Sequence, residues 1–201
     1  FGGSPENQFK RHAKKVANLN AQLEERQASA HWLAENGSQE AICALLKRFS
    51  LTYEHRMKDR DEKEMIFNLL LDMGPAIIEP TKEWIHRNPN FAIPLRLVER
   101  LEGKTATVEL LLELLGEEID EFKPEKKRQI LIRLADFKDQ RIAERVPACL
   151  GDFDEGIRYA AVEALVAQED DSIREDLAAS LADTEEESNR FRVRIAEVFH
   201  R

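Results

Sequence analysis

Cysteine is scarce in this chain: Cys43 and Cys149 are the only two in 201 residues. They sit far apart in separate apolar runs, so they read as small buried hydrophobes rather than as a disulfide or a metal pair. Glycine (8) and proline (7) are also sparse and fall mostly between apolar-periodic segments, while few stretches alternate with period two. That pattern leaves almost no room for a sheet and gives an all-α expectation. No apolar run approaches the ~18 residues of a membrane span, and no secretory signal is visible, which points to a cytoplasmic location. The chain starts on Phe1 rather than methionine; this leaves a removed segment open, with Phe1–Ser4 read as a leader or a cloning remnant.

Catalytic chemistry is equally thin. His12, His31, His55, His86 and His200 are scattered, with no zinc-protease motif, phosphate loop or nucleophile elbow. Asp152, Asp154 and Glu163 imitate positions one, three and twelve of a calcium loop, but Gly156 and Ile157 stand where a ligand and a glycine are needed. His55 with Asp59, one helical turn apart, is the only acid–base pairing worth naming. The chain therefore reads as non-enzymatic, with no metal, cofactor or catalytic residue expected.

What is present is charge and helical rhythm. Residues are 42% apolar and 34% charged, with a formal net charge of −9. The charge is uneven: residues 1–60 hold ten Lys and Arg against seven Asp and Glu, whereas residues 101–201 hold fifteen against twenty-five. An acidic surface of this kind repels nucleic acid and anionic lipid.

The organising stretch is Leu150–Leu165. Asp152, Asp154 and Gly156 break one helix and start another, with Asp154 as N-cap. Ile157, Ala160, Ala161, Ala164 and Leu165 then share a face at i, i+3, i+4, i+7, i+8. Arg158 stands at the helix start, poorly placed against the dipole, so an acidic partner in the preceding turn is expected, with Asp139 as candidate. The segment has echoes: Arg192 with Phe199, Arg128 with Ala135, Arg26 with Leu33, and more loosely Lys63 with Leu70. The spacing is about thirty to thirty-five residues, the length of two short helices and two turns.

Residues 124–182, with their alternation of helix, Asp-containing turn, helix, Gly-Asp-x-Asp turn and Arg-bearing helix, resemble HEAT-like repeats. More narrowly, they resemble the short bacterial kind named after phycobilisome lyases. The resemblance implies a right-handed α-solenoid of stacked antiparallel helix pairs, a HEAT-like or ARM-type superhelix whose second helices tend to line the concave side. Residues 1–201 are then a single domain with pairs at about 21–49, 61–88, 91–116, 125–150 and 155–182. Terminal helices are expected at 5–18 and 187–200. Arg26, Arg128, Asp139, Asp152, Arg158 and Arg192 are its repeat residues.

Along the chain, Lys10, Arg11, His12, Lys14 and Lys15 crowd the outer side of the first helix, either as a solvated face or as a contact for an acidic partner. Ser50–Arg60 reads as a long turn in which Tyr53 packs over an edge or meets a partner. Trp84 and Arg87 share a second helix and read either as core and surface or as binding anchors. Glu109, Glu113 and Glu117, flanked by Glu118, Asp120 and Glu121, form a stripe that is either solvated or an acidic ridge in the groove. The last helix lacks a mate, which a homodimer would cover. The reading that follows is a scaffold binding another protein through a basic or amphipathic segment. Alternatives are an accessory role in tetrapyrrole attachment, which the lyase resemblance suggests, and nucleic-acid binding through Lys10–Lys15 with Arg190, Arg192 and Arg194.

Overall fold

In the structure, a computed structural model, residues 4–117, 124–183, 186 and 188–200 are described. The leader at residues 1–3, the flanking acids Glu118, Asp120 and Glu121, and Glu185 and Glu187 of the acidic turn lie outside them. Helix is the only regular secondary structure among the described residues, which contain no strand. Among the described residues twelve α-helices follow one another: α1 Pro5–Val16, α2 Leu23–Asn36, α3 Gln39–Lys47, α4 Arg56–Asp72, α5 Ile78–Arg87, α6 Ala92–Glu102, α7 Lys104–Glu117, α8 Pro124–Leu134, α9 Gln140–Arg145, α10 Glu155–Val166, α11 Ile173–Ala182 and α12 Asn189–Phe199. Short 3-10 segments cover Arg48–Ser50, Gly74–Ile77 and Val146–Gly151.

Local chemistry explains most boundaries. Ser4, Ser38, Asp154 and Ser188 each accept a backbone N–H in the first turn of the helix they cap. Gly37 ends α2 in the left-handed conformation (φ 65°), and its N–H reaches back to the Leu33 carbonyl, as a helix C-terminus requires. Two starts differ from the sequence reading. Helix α2 begins at Leu23 rather than near residue 21, because Asn18 accepts the Asn20 amide N–H in a local turn just before it. Helix α4 begins at Arg56, inside the stretch expected to be loop, and is the longest helix at 17 residues.

The chain divides into two compact units, Phe1–Gly103 and Lys104–Arg201. The expected pair at 91–116 spans this boundary, with α6 in the first unit and α7 in the second. In the first unit the principal packing partners are α1 with α2 and α3, α2 with α3 and α4, α3 with α4 and α5, α4 with α6, and α5 with α6. No principal pair is more than two helices apart in chain order. Leu33, Ile42, Leu45, Leu46, Ile66 and Leu70 are wholly or almost wholly buried at its centre. In the second unit α10 is the hub, touching α8, α9, α11 and α12. Its Ile157, Ala160, Ala161, Ala164 and Leu165 are all buried, as the helical spacing predicts. The small alanines let these neighbours approach closely.

Candidate functional site

The first unit encloses a cluster of ions. Arg48, at the end of α3, is completely buried, and Glu62 on α4 and Arg26 on α2 are nearly so. Arg26 grips Glu62 with two parallel bonds, Nε to Oε1 at 2.8 Å and Nη2 to Oε2 at 3.0 Å. Arg48 Nη2 donates to Glu62 Oε2 at 2.8 Å and to Asp59 Oδ1 at 2.6 Å. Lys63 completes the set, 2.7 Å from Asp59 Oδ2. Burial would push both carboxyls up, but the hydrogen bonds from Arg26 and Arg48 to Glu62, and from Lys63 and Arg48 to Asp59, outweigh it and hold both below their usual range. Thus Asp59 is bound into this cluster and is not the partner of His55.

Above the cluster lies an open cleft of about 740 Å³ between the α1–α2 connection and the segment before α4, lined by Leu19, Leu23, Arg26, Tyr53 and Lys58 among others. Tyr53 donates its backbone N–H to Asp59 at 3.2 Å, and the Arg26 guanidinium lies 5.5 Å from its ring centroid. Tyr53 is thereby fixed in the wall of the cleft, half-buried.

The repeat arginines share a second task. Arg26 Nη1 donates to the carbonyls of Leu19 and Ala21, Arg158 Nη1 to those of Asp152 and Phe153, and Arg192 to those of Glu186 and Asp183. Each arginine reaches back from the start of its helix and fastens the turn before it. The carboxylate facing Arg158 is Glu186, at 2.8 Å, and not Asp139. Glu186 stands in the segment before α12, and it meets this guanidinium through tertiary packing rather than through a neighbouring turn in sequence. Asp139 instead caps α9 and holds Arg141 at 2.9 and 2.8 Å. Arg128 breaks the pattern: it lies on the surface against Glu125, and its neighbour Lys127 takes Asp152. At the last copy, Phe199 is partly exposed where Leu165 is buried, and Phe191 and Ile195 supply the buried face.

Glu163, the twelfth position of the pseudo-calcium loop, holds Arg194 on both oxygens. Arg190 lies 4.4 Å from the Tyr159 ring centroid, so the basic run of α12 is engaged with α10. His12 departs from its expected outer position. Its ring stacks on Trp32 with centroids 4.4 Å apart, and Nδ1 lies 3.1 Å from Ser29 Oγ.

The proposed anchors have different surroundings. Trp84 is half-buried against the first unit's core, with its indole nitrogen buried and unpaired, while Arg87 is exposed beside Glu83 at 3.6 Å. Helix α7 buries Thr107, Val108, Leu110, Leu111, Leu112, Leu114 and Leu115. Glu109, Glu113 and Glu117 occupy the exposed strip that remains. Trp84 and Arg87 belong to the first unit and the glutamates to the second.

Sequence reading missed Arg48, Glu62 and Gln168. Gln168 accepts the Asp139 N–H at 3.0 Å and donates to the carbonyls of Phe137 and Ala164, tying α10's end to the α8–α9 turn. A signal for Glu62 existed, because it stands 36 residues after Arg26, close to one repeat length.

Among the described residues no group of three or more His, Cys, Asp or Glu could hold one metal ion, and no helix is long and apolar enough to cross a membrane. No family model and no curated protein matches the chain. A solved structure of an engineered protein is similar to it at 18% identity and a TM-score of 0.43, covering 94% of this chain and 96% of that one.

Proposed function

We propose that the chain is a non-enzymatic binding module whose helix pairs stack in the right-handed, HEAT-like manner, and that it receives a basic or amphipathic segment of another protein on α7. Support for the stacking comes from the first unit, where principal contacts join only helices one or two apart in sequence, as in an assembly in which each pair leans on its neighbours. The arginine fasteners at Arg26, Arg158 and Arg192, placed alike in three turns, support it further.

The observation that carries the binding reading is the glutamate strip. Helix α7 is fixed by apolar packing on every other side, so Glu109, Glu113 and Glu117 are held on a rigid element one turn apart. Glu109 acts electrostatically on the Arg141 guanidinium, and among the described residues neither Glu109 nor Glu113 makes a close ion pair. Rigid presentation lowers the ordering cost of binding, and like charges in a row attract a cationic segment. Trp84 and Arg87, in the first unit taken by itself, remain separate candidate anchors.

The test is affinity capture with wild-type protein and with Glu109→Lys/Glu113→Lys/Glu117→Lys, the helical content of both being checked by circular dichroism. A partner retained by the wild type and lost by the variant supports the reading. Equal capture by both removes α7 as the docking site.

A further inference from the structure

The second unit has a pocket that the glutamate strip does not use. It measures about 520 Å³ and lies between the end of α7, the start of α8 and the turn leading into α10. Leu112, Leu115 and Cys149 give it an apolar floor, Lys127 and Arg145 stand in its wall, and Phe153 forms its rim.

Three features make this more than a surface dimple. Phe153 is 85% exposed, the largest exposure among the big apolar side chains of the described residues, so its ring contributes almost nothing to the fold. Lys127 is neutralised by Asp152, whereas Arg145 has no ion pair among the described residues. Its guanidinium stands beside Gly116, 3.7 Å from where a Cβ would be, an ordinary contact distance that places it at the end of α7. The pocket thus joins an apolar floor, an exposed aromatic ring and one cation without an ion pair among the described residues, in the half of the chain where acidic residues outnumber basic ones.

We infer that this pocket binds a peptide segment of a partner protein in which a large apolar side chain stands beside a carboxylate. The apolar side chain would enter between Leu112, Leu115 and Phe153, and the carboxylate would meet Arg145. Exposed aromatic and arginine side chains around a pocket are the residue types that dominate binding energy in such contacts. A guanidinium also suits a carboxylate geometrically, since both are planar forks. A cavity of this size accommodates two or three side chains, within the usual range of pockets. The inference rests on the reading of the chain as a binding module, and it adds a second surface of opposite preference to the α7 strip.

The probe is a random twelve-residue phage-displayed library panned against the full chain. Enriched sequences are then synthesised and titrated by fluorescence anisotropy. The expected result is enrichment of Asp or Glu next to Phe, Leu or Trp, with affinity falling tenfold or more in both Arg145→Glu and Phe153→Ala. Both side chains are exposed, so neither variant disturbs folding, and the control Arg174→Glu leaves affinity unchanged. Loss of binding in the triple glutamate variant, with Arg145→Glu unaffected, would place the peptides on α7 and overturn the pocket assignment while sparing the proposed function. An absence of acidic–apolar sequences among the enriched clones would overturn it as well.

Discussion

Sealing Arg48 away from water forfeits the hydration of a guanidinium, and the protein recovers that loss because Glu62, Asp59 and the Leu51 carbonyl are aimed at it. Such an arrangement is asymmetric: removing one member leaves charge buried without compensation, which costs far more than the intact cluster contributes. Glu62→Gln keeps the shape and deletes the charge between two arginines. It should lower unfolding free energy by about 3 kcal/mol, read from the urea midpoint at neutral pH. A change below about 1 kcal/mol would mean that water reaches the cluster. Little of this was legible beforehand, because Arg48, Asp59 and Glu62 belong to different turns and only tertiary packing brings them together. The Arg158–Leu165 register, by contrast, was readable, since 3.6-residue periodicity and an Asp cap are local properties.

At the scale of the helix, His12 couples α1 to α2. Burial, followed by Arg11 and Lys15, holds its imidazole below the ordinary value of 6.5, while Ser29 and Trp32 face it from α2 and Glu25 engages Lys15 across the same junction. The unfolded chain therefore takes up the proton first. The stability due to this contact is complete above about pH 6.5 and declines as pH falls below it. Trp32 emission should report loosening of α1 between pH 7 and 5, and His12→Asn should flatten that transition. An identical titration in the variant would show that other groups drive it. The sequence placed His12 among outward cations because its neighbours are basic; the stack on Trp32 depends on where α2 lies, which spacing within α1 does not encode.

Helix α10 permits a complementary test. Ala161 is fully buried at the hub touched by α8, α9, α11 and α12. Ala161→Leu should cost about 1–3 kcal/mol through overpacking, measured by thermal or urea unfolding. A neutral effect would mean that the four neighbours are not closely seated. Here the sequence pattern did foresee the packing, since a run of alanines on one face announces close approach.

Over the whole molecule, the depressed carboxyls act together under acid. Glu62, Asp59, Glu125, Asp139, Glu169 and Asp170 all titrate below their ordinary values in the folded protein. Their contribution is present above the unfolded values of 4.5 and 3.8 and is lost as pH falls through the lower folded ones. Ellipticity should collapse below about pH 4, and in Glu62→Gln the dependence on pH should be shallower. An equal slope would assign acid sensitivity to the exposed carboxylates alone. Net charge was legible from composition, and the helical class from the sparse glycine and proline and the lack of period-two alternation. The division at Gly103 and Lys104 was not, because the apolar rhythm runs through the 91–116 pair without interruption.

The arginine fasteners carry an evolutionary consequence. Arg26, Arg158 and Arg192 grip main-chain oxygens, which every amino acid supplies alike. The identities of the gripped residues are therefore free to drift while one basic side chain preserves each corner. Related chains should vary most at those corners and least at the three arginines, allowing new recognition surfaces to arise there without redesign of the scaffold.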